Sequence, residues 1–428
     1  MLTTVITFII VLGFLVFIHE LGHFMAARKV GVKVLEFSIG FPPKLISKTV
    51  GDTKYMLSWI PLGGYVRLKG QDTEDEDPNE AGNYASKTIL QRFFILIAGP
   101  FMNILTAFIF MPLVFMIGYE VPAYLDSKPV IYNVTKDSLA EKLDIKKDDQ
   151  IISINGVATE NWKKVQKQIN DGSQKIEIKI LRSGNEISKV ITPDLLETNN
   201  AIGWEALIEP VIGKVVQNSS AYKAGLEKGD RILNINGDKI NSWTELSPHI
   251  QVSKGKALNL LINRNGDFKE IEIIPTWNKQ NNYWVIGVLS LNINHSEGFV
   301  DAITLGSKRV VFLAGKSFEF LYRLVSGKES VKAVGGPIMI ASMIGDAAKS
   351  GVSNLLALVA FISLQLGIFN LLPIPALDGG HILFLLFEKI KGQTLSKKFR
   401  INMQKTGFSI LLMLILYISV QDGIRIFN

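Results

Sequence analysis

The sequence predicts a multi-pass α-helical membrane protein with a membrane-associated β-hairpin or sheet and a β-rich segment outside the bilayer, and three observations carry that prediction. Hydrophobic residues make up 47% of the chain and its mean hydropathy is +0.24, too apolar for an ordinary soluble protein. Apolar runs at 2–18, 93–118 and 352–372 approach or reach the ~20 residues that cross a bilayer. A fourth at 408–420 spans with its flanks, so four transmembrane helices are expected. The long stretch between the second and third runs repeats itself.

Charge places these runs in the membrane. The net charge is +7 with a pI near 9.2, but Lys and Arg are scattered and no helix-turn-helix or zinc-finger pattern appears, so nucleic acid is not an expected partner. Basic residues crowd the loop after the first run, from Arg28 to Arg92, and the loop before the fourth, including Lys397, Lys398 and Arg400. The positive-inside bias makes both loops cytoplasmic and puts the segment from about 119 to 350 on the other side. The chain has no cysteine, so any metal must sit on His, Asp or Glu.

The first span, 1–28, ends in VFIHELGHFMAARKV. His19, Glu20 and His23 form H-E-x-x-H, which on a helix turns both imidazoles to one face, toward one metal, with Glu20 reaching a bound water. A signal peptide cut near Ala26 is disfavoured by the missing basic start. Two histidines satisfied by hydrogen bonds between helices are the bland alternative, but ionisable groups at membrane depth cost roughly 2.5–3.5 kcal/mol each and are functional candidates by default.

Catalytic zinc usually takes three protein ligands. The run NLLPIPALDGGH, at 370–381 in the third span (351–387), supplies candidates: Pro373 and Pro375 break the helix, and Gly379 and Gly380 permit a tight turn. Broken backbone at membrane depth belongs beside a wet cavity or buried in protein. Asp378 is the carboxylate the metal lacks, and His381 competes with it on chemistry alone. Between the first two spans, 29–91 reads as strands around KVLEFSI and GGYVRLK, separated by turns, with QDTEDEDPNE at 71–80 as a solvated loop. The second span is 92–118, and 388–428 holds a cytoplasmic basic loop and the fourth span.

Outside the membrane, SLAEKLDIKKDDQIISINGVATENW (138–162) aligns without gaps on SSAYKAGLEKGDRILNINGDKINSW (219–243), so 119–200 and 201–294 are two copies of one unit. The first copy has Asp144 and Asp148 where the second has Gly225 and Gly229, so its loops are expected to differ. Segment 295–350 is a linker in which apolar patches mix with Lys308, Arg309, Lys316 and Arg323, an interfacial amphipathic helix.

With HELGH, IPLGGYVRLKG, GPFMN (99–103), GGPI (335–338) and N-x-x-P-x-P-x-L-D-G-G on the page, the chain resembles the bacterial site-2 proteases, intramembrane zinc metalloproteases of the regulator of sigma-E protease type with tandem PDZ domains. The resemblance covers essentially the whole length. It implies Zn2+ held by His19, His23 and Asp378, with Glu20 as catalytic base and Asn370 as a substrate contact. It implies that 29–91 dips into the membrane and offers an edge to the substrate, with Gly63 and Gly64 as candidate contacts. The repeats resemble PDZ domains, and IGYE (117–120) and IGWE (202–205) make Gly118 and Gly203 candidates for the peptide-carboxylate loop. The implied function is cleavage of single-pass membrane proteins after a first cut outside, such as an anti-sigma factor or remnant signal peptides, in the bacterial inner membrane with the PDZ domains periplasmic. A membrane-tethered PDZ adaptor without turnover is the alternative.

Overall fold

The computed structural model describes residues 2–71, 80–170, 175–192, 202–278, 282–393 and 395–427. The acidic loop read at 71–80 lies, over 72–79, outside the described residues. The chain divides into two compact units, one made of Met1–Tyr119 and Ser296–Asn428, the other of Glu120–His295.

The first unit is built on long apolar helices. Helix α1 (Leu2–Lys29) carries the apolar run straight through H-E-x-x-H and ends on Arg28 and Lys29, where cations suit the negative end of the helix dipole. Helix α2 (Ile89–Ile117) starts at a capping box: Thr88 Oγ1 accepts from the Gln91 backbone N–H, and Gln91 Oε1 accepts from that of Thr88. After the second unit come α3 (Phe299–Val325), α4 (Pro337–Lys349), α5 (Val352–Asn370), α6 (Asp378–Lys391) and α7 (Lys397–Phe427).

Small residues let other helices close on α2, the packing expected where lipid removes the hydrophobic drive between helices. A Cβ on Gly22 of α1 would lie 2.3 Å from the Ala98 carbonyl oxygen, one on Gly367 of α5 would lie 2.9 Å from that of Pro100, and one on Gly306 of α3 would meet the Pro112 backbone at 2.5 Å. Helix α3 lies in the segment read as an amphipathic helix. Ala302, Gly306 and Val310 are buried while Lys308, Arg309, Lys316 and Arg323 are exposed.

Among the described residues, five stretches are long and apolar enough to cross a membrane, against the four expected from sequence: Leu2–Lys29, Ile89–Ile117, Val331–Lys349, Val352–Asn370 and Lys398–Ile424. The additional stretch has an α-helical part, α4, only about 20 Å long at 1.5 Å per residue, short of a ~30 Å hydrocarbon core. Its start explains the GGPI motif. Asp422 of α7, 1% exposed, accepts from the backbone N–H groups of Gly336 (3.2 Å) and Met339 (2.9 Å), capping α4, and a Cβ on Gly336 would sit 2.6 Å from that carboxylate. Asp422→Asn turns an amide N–H2 toward one of these donors, so it is expected to destabilise the unit by about 1–3 kcal/mol. An unchanged midpoint in detergent thermal unfolding would show that the cap carries no stability.

Between α1 and α2, two long antiparallel strands, β1 (Val34–Val50) and β2 (Thr53–Leu68), fold on themselves into four runs. Phe37 pairs with Tyr55 on one side and Val66 on the other, so the run from 34 lies between the two halves of β2 and the run 64–68 forms one edge. Far from that edge Ile46, Val50 and Trp59 are exposed apolar side chains.

In the second unit the two copies of the repeat carry sheets of the same strand order. Each copy has a four-stranded sheet: Val157–Ala158, Gln150–Ile154, Ile176–Arg182 and Asn185–Ile191 in the first, and Asp238–Lys239, Arg231–Ile235, Leu258–Arg264 and Asp267–Ile273 in the second. The tight hairpins turn on Asn155-Gly156 and Asn236-Gly237, all four with positive φ, as a two-residue Asn-Gly turn requires. The expected loop difference is corrected. Asp144 (φ 54°) and Asp148 (φ 68°) adopt the same left-handed backbone as Gly225 (φ 78°) and Gly229 (φ 95°), because Asp tolerates that region better than most residues. Asp144 also uses its side chain there, binding Lys146 and Arg182, which hold its carboxyl below the usual range.

Candidate active site

Two helix segments and one break bring the sequence candidates together. His19 and His23 lie four residues apart on α1, so both rings face α2. Helix α5 stops at Asn370, the chain turns through 371–377, and α6 restarts with Asp378 as its first residue. Gly379 and Gly380 permit this restart: a Cβ on Gly379 would lie 2.3 Å from the carbonyl oxygens of Leu371 and Leu372, and one on Gly380 2.2 Å from that of Ile374. Close return of the helix onto its own turn swings the Asp378 carboxylate toward α1.

Three ligand atoms converge. His19 Nε2 and His23 Nε2 are 3.2 Å apart, Asp378 Oδ2 is 3.1 Å from His19 Nε2, and Asp378 Oδ1 is 3.5 Å from His23 Nε2. Ligands about 2.0–2.2 Å from a tetrahedral zinc stand about 3.3 Å apart, so the spacing of these atoms suits that ion. Among the described residues this is the one group of His, Asp and Glu side chains close enough to hold a metal. His23 Nδ1 lies 2.8 Å from the Ile95 carbonyl oxygen; donating its N–H there leaves the Nε2 lone pair for a metal. His381, one turn beyond Asp378, falls outside the cluster and is bonded to Gln404.

These groups line one cavity of about 460 Å3, together with Glu20, Asn370, Gly63 and Gly64. Gly64 is there for space: a Cβ would lie 2.7 Å from the Ser38 carbonyl oxygen and 3.0 Å from Glu20 Cγ. The sheet edge at 64–68 therefore lies directly against the H-E-x-x-H turn.

A family model for peptidase family M50 matches residues 7–414. The chain belongs to peptidase family M50. This M50 peptidase is 34% identical to the regulator of sigma E protease of Haemophilus influenzae, with 98% of each chain covered, and 33% identical to the regulator of sigma-E protease RseP of Escherichia coli K12, with 99% and 97% covered. It is 30% identical, over 99% of both chains, to a protein of Neisseria meningitidis named a zinc metalloprotease. The M50 chain is thus a zinc metalloendopeptidase of the site-2 type, an inner membrane protein acting in regulated intramembrane proteolysis.

Sequence reasoning left three residues of the M50 site without a role. Gly99 of GPFMN lies under the imidazoles, and a Cβ on it would be 2.3 Å from His23 Nε2 and 2.8 Å from His19 Nε2. Asn103, one turn on, meets His19, and the carbonyl of Ile95, one turn back, meets His23. Their 4-residue spacing along α2 was the available signal. The carboxylate-loop candidates separate. Gly118 is the C-cap of α2, donating its N–H to the Val114 carbonyl. Gly203 (φ 89°) packs on Ser138, which N-caps the short helix of the first repeat, and its counterpart in the second repeat is Gly287 (φ 84°) on Ser219. Thus IG at 286–287, rather than at 117–118, is the partner of IG at 202–203.

Proposed function

We propose that this protein is an intramembrane endopeptidase whose zinc is held by His19, His23 and Asp378, with Glu20 as general base, and that it cuts transmembrane segments of single-pass proteins already shortened by a first cut outside. The convergence of three ligand atoms beside Glu20 in one cavity carries the reading. Zinc, when bound, acidifies a water and polarises a carbonyl. Glu20 takes the proton of the attacking water and passes it to the leaving amine, the step that a carboxylate on the metal-facing side of α1 is placed to perform. Asn370 at the end of α5 offers a neutral amide to the substrate backbone or the developing oxyanion.

A transmembrane substrate must be unwound before its amides can be attacked, and the edge at 64–68, with Gly63 and Gly64, pairs with it as an added strand. Basic loops after α1 and before α7 support four spans with the active site toward the cytoplasm and the second unit periplasmic. The two repeats act as PDZ domains, with Gly203 in a carboxylate loop, and serve as a filter against substrates that retain bulky outer domains. An anti-sigma factor or remnant signal peptides are the substrates this arrangement suits.

Glu20→Gln discriminates hydrolase from adaptor. The variant is expected to keep its zinc and lose cleavage of a model transmembrane peptide by roughly 10²–10⁴-fold. Unchanged cleavage removes Glu20 from the mechanism.

A further inference from the structure

Asn103 is 1% exposed and lines the catalytic cavity. Its Nδ2 stands 3.2 Å from His19 Nδ1, the ring nitrogen turned away from the metal-ligand cluster, and its Oδ1 is buried with no hydrogen-bond partner. The residue is firmly held: Ser363 of α5, fully buried, donates its hydroxyl to the Asn103 carbonyl at 2.8 Å. An asparagine fixed in position against the outer nitrogen of one imidazole, with one amide end unsatisfied, calls for a role.

A neutral imidazole has one N–H and one lone pair. To give its Nε2 lone pair to a metal, His19 must carry its proton on Nδ1, and that N–H needs an acceptor. The two ends of a primary amide match in shape, so a half-turn of the Asn103 side chain sets Oδ1 opposite Nδ1 as that acceptor. In the other tautomer the same side chain serves in reverse: Asn103 Nδ2–H donates to Nδ1, while His19 Nε2–H donates to Asp378 Oδ2 at 3.1 Å. Asparagine offers both ends at one reach, whereas Leu offers neither and ionised Asp only accepts.

We propose that Asn103 is the positioning residue for His19, its amide holding the ring in place and selecting the Nδ1–H tautomer that presents Nε2 to zinc. This rests on the zinc assignment to His19, His23 and Asp378. His23 draws the same service from a fixed backbone carbonyl, that of Ile95, so the two imidazoles are supported from points two turns apart on α2 by different means.

The test is zinc affinity of the full chain in detergent, by competition with a chromophoric chelator, for wild type, Asn103→Leu, Asn103→Asp and His23→Ala. Removing the outer partner of a metal-ligating histidine costs about 10–100-fold in affinity, and that loss is expected for N103L, while N103D, which keeps an acceptor on Nδ1–H, stays at or above wild type. N103L binding zinc like wild type, or N103D falling as far as N103L, overturns the proposal, the second by showing that Asn103 only fills space. If Leu is not accommodated, Asn103→Ala replaces it with the same two readings. His23→Ala separates the premises: equal zinc in wild type and H23A fails the zinc assignment itself, whereas zinc lost in H23A but retained in N103L fails this inference alone.

Discussion

Gly99→Ala is expected to empty the metal site while leaving the fold intact. The new methyl would stand 2.3 Å from His23 Nε2, 2.7 Å from Cε1 of the same ring and 2.8 Å from His19 Nε2, all closer than a methyl can approach. Neither side has room to yield. Helix α2 is pinned by the Gly22 and Gly367 contacts on either face and by the Ser363 bond to Asn103, and the imidazoles are tied to Ile95 and Asn103. Alanine favours a helix interior over glycine by about 1 kcal/mol, so local propensity does not oppose the change. The rings must leave their convergent rotamers, and zinc affinity should fall more than ~100-fold, the upper end of what loss of a supporting partner costs, with cleavage reduced to background. Metal analysis, peptide cleavage and thermal unfolding of the same sample check it. Wild-type zinc content in this variant would displace the imidazoles from the position described.

The second large effect belongs to the repeats and concerns stability. Asp230 is fully buried and its charge is answered by Arg264, whose Nε and Nη2 donate to the two carboxylate oxygens at 2.7 and 2.8 Å. Asp149 and Arg182 reproduce the pair in the first repeat at the same two distances. The remaining contact of Asp230, from the Glu227 backbone N–H, is too little to hold an anion away from water. Arg264→Ala should therefore destabilise the second repeat by about 3–5 kcal/mol. Because domains are stable by only ~5–15 kcal/mol, faster hydrogen exchange should appear across 208–290 in the full chain. The Asp230→Asn, Arg264→Leu double variant, which removes both charges, should recover part of the loss. A loss under about 1 kcal/mol would mean that the buried charge is satisfied by some other route.

The aligned aspartates show how far such a pair is legible. The gapless repeat marks Asp149 and Asp230 as equivalent, yet nothing local to either names the arginine more than thirty residues downstream, because strand pairing brings it back. The reading of Asp144 against Gly225 erred in the other direction. Residue type alone suggested different loops, whereas the shared sheet framework imposes one backbone on both copies and leaves the side chain to adapt.

By itself the sequence determined what depends on near neighbours: apolar runs that must be helices in lipid, H-E-x-x-H on one helical face, Asn-Gly hairpins, a break at the prolines, and two copies of one unit. Composition also confined any metal to His, Asp and Glu. Only the tertiary structure brought Asp378, and not His381, within ligand distance of His19 and His23, placed Gly99 beneath the imidazoles and Asn103 behind one of them, paired Gly203 with Gly287, and revealed that GGPI receives Asp422. Each of these depends on how closely two helices or strands approach. That distance is set where a glycine on one partner meets a particular ring, carboxylate or backbone on the other, a condition that local periodicity does not encode.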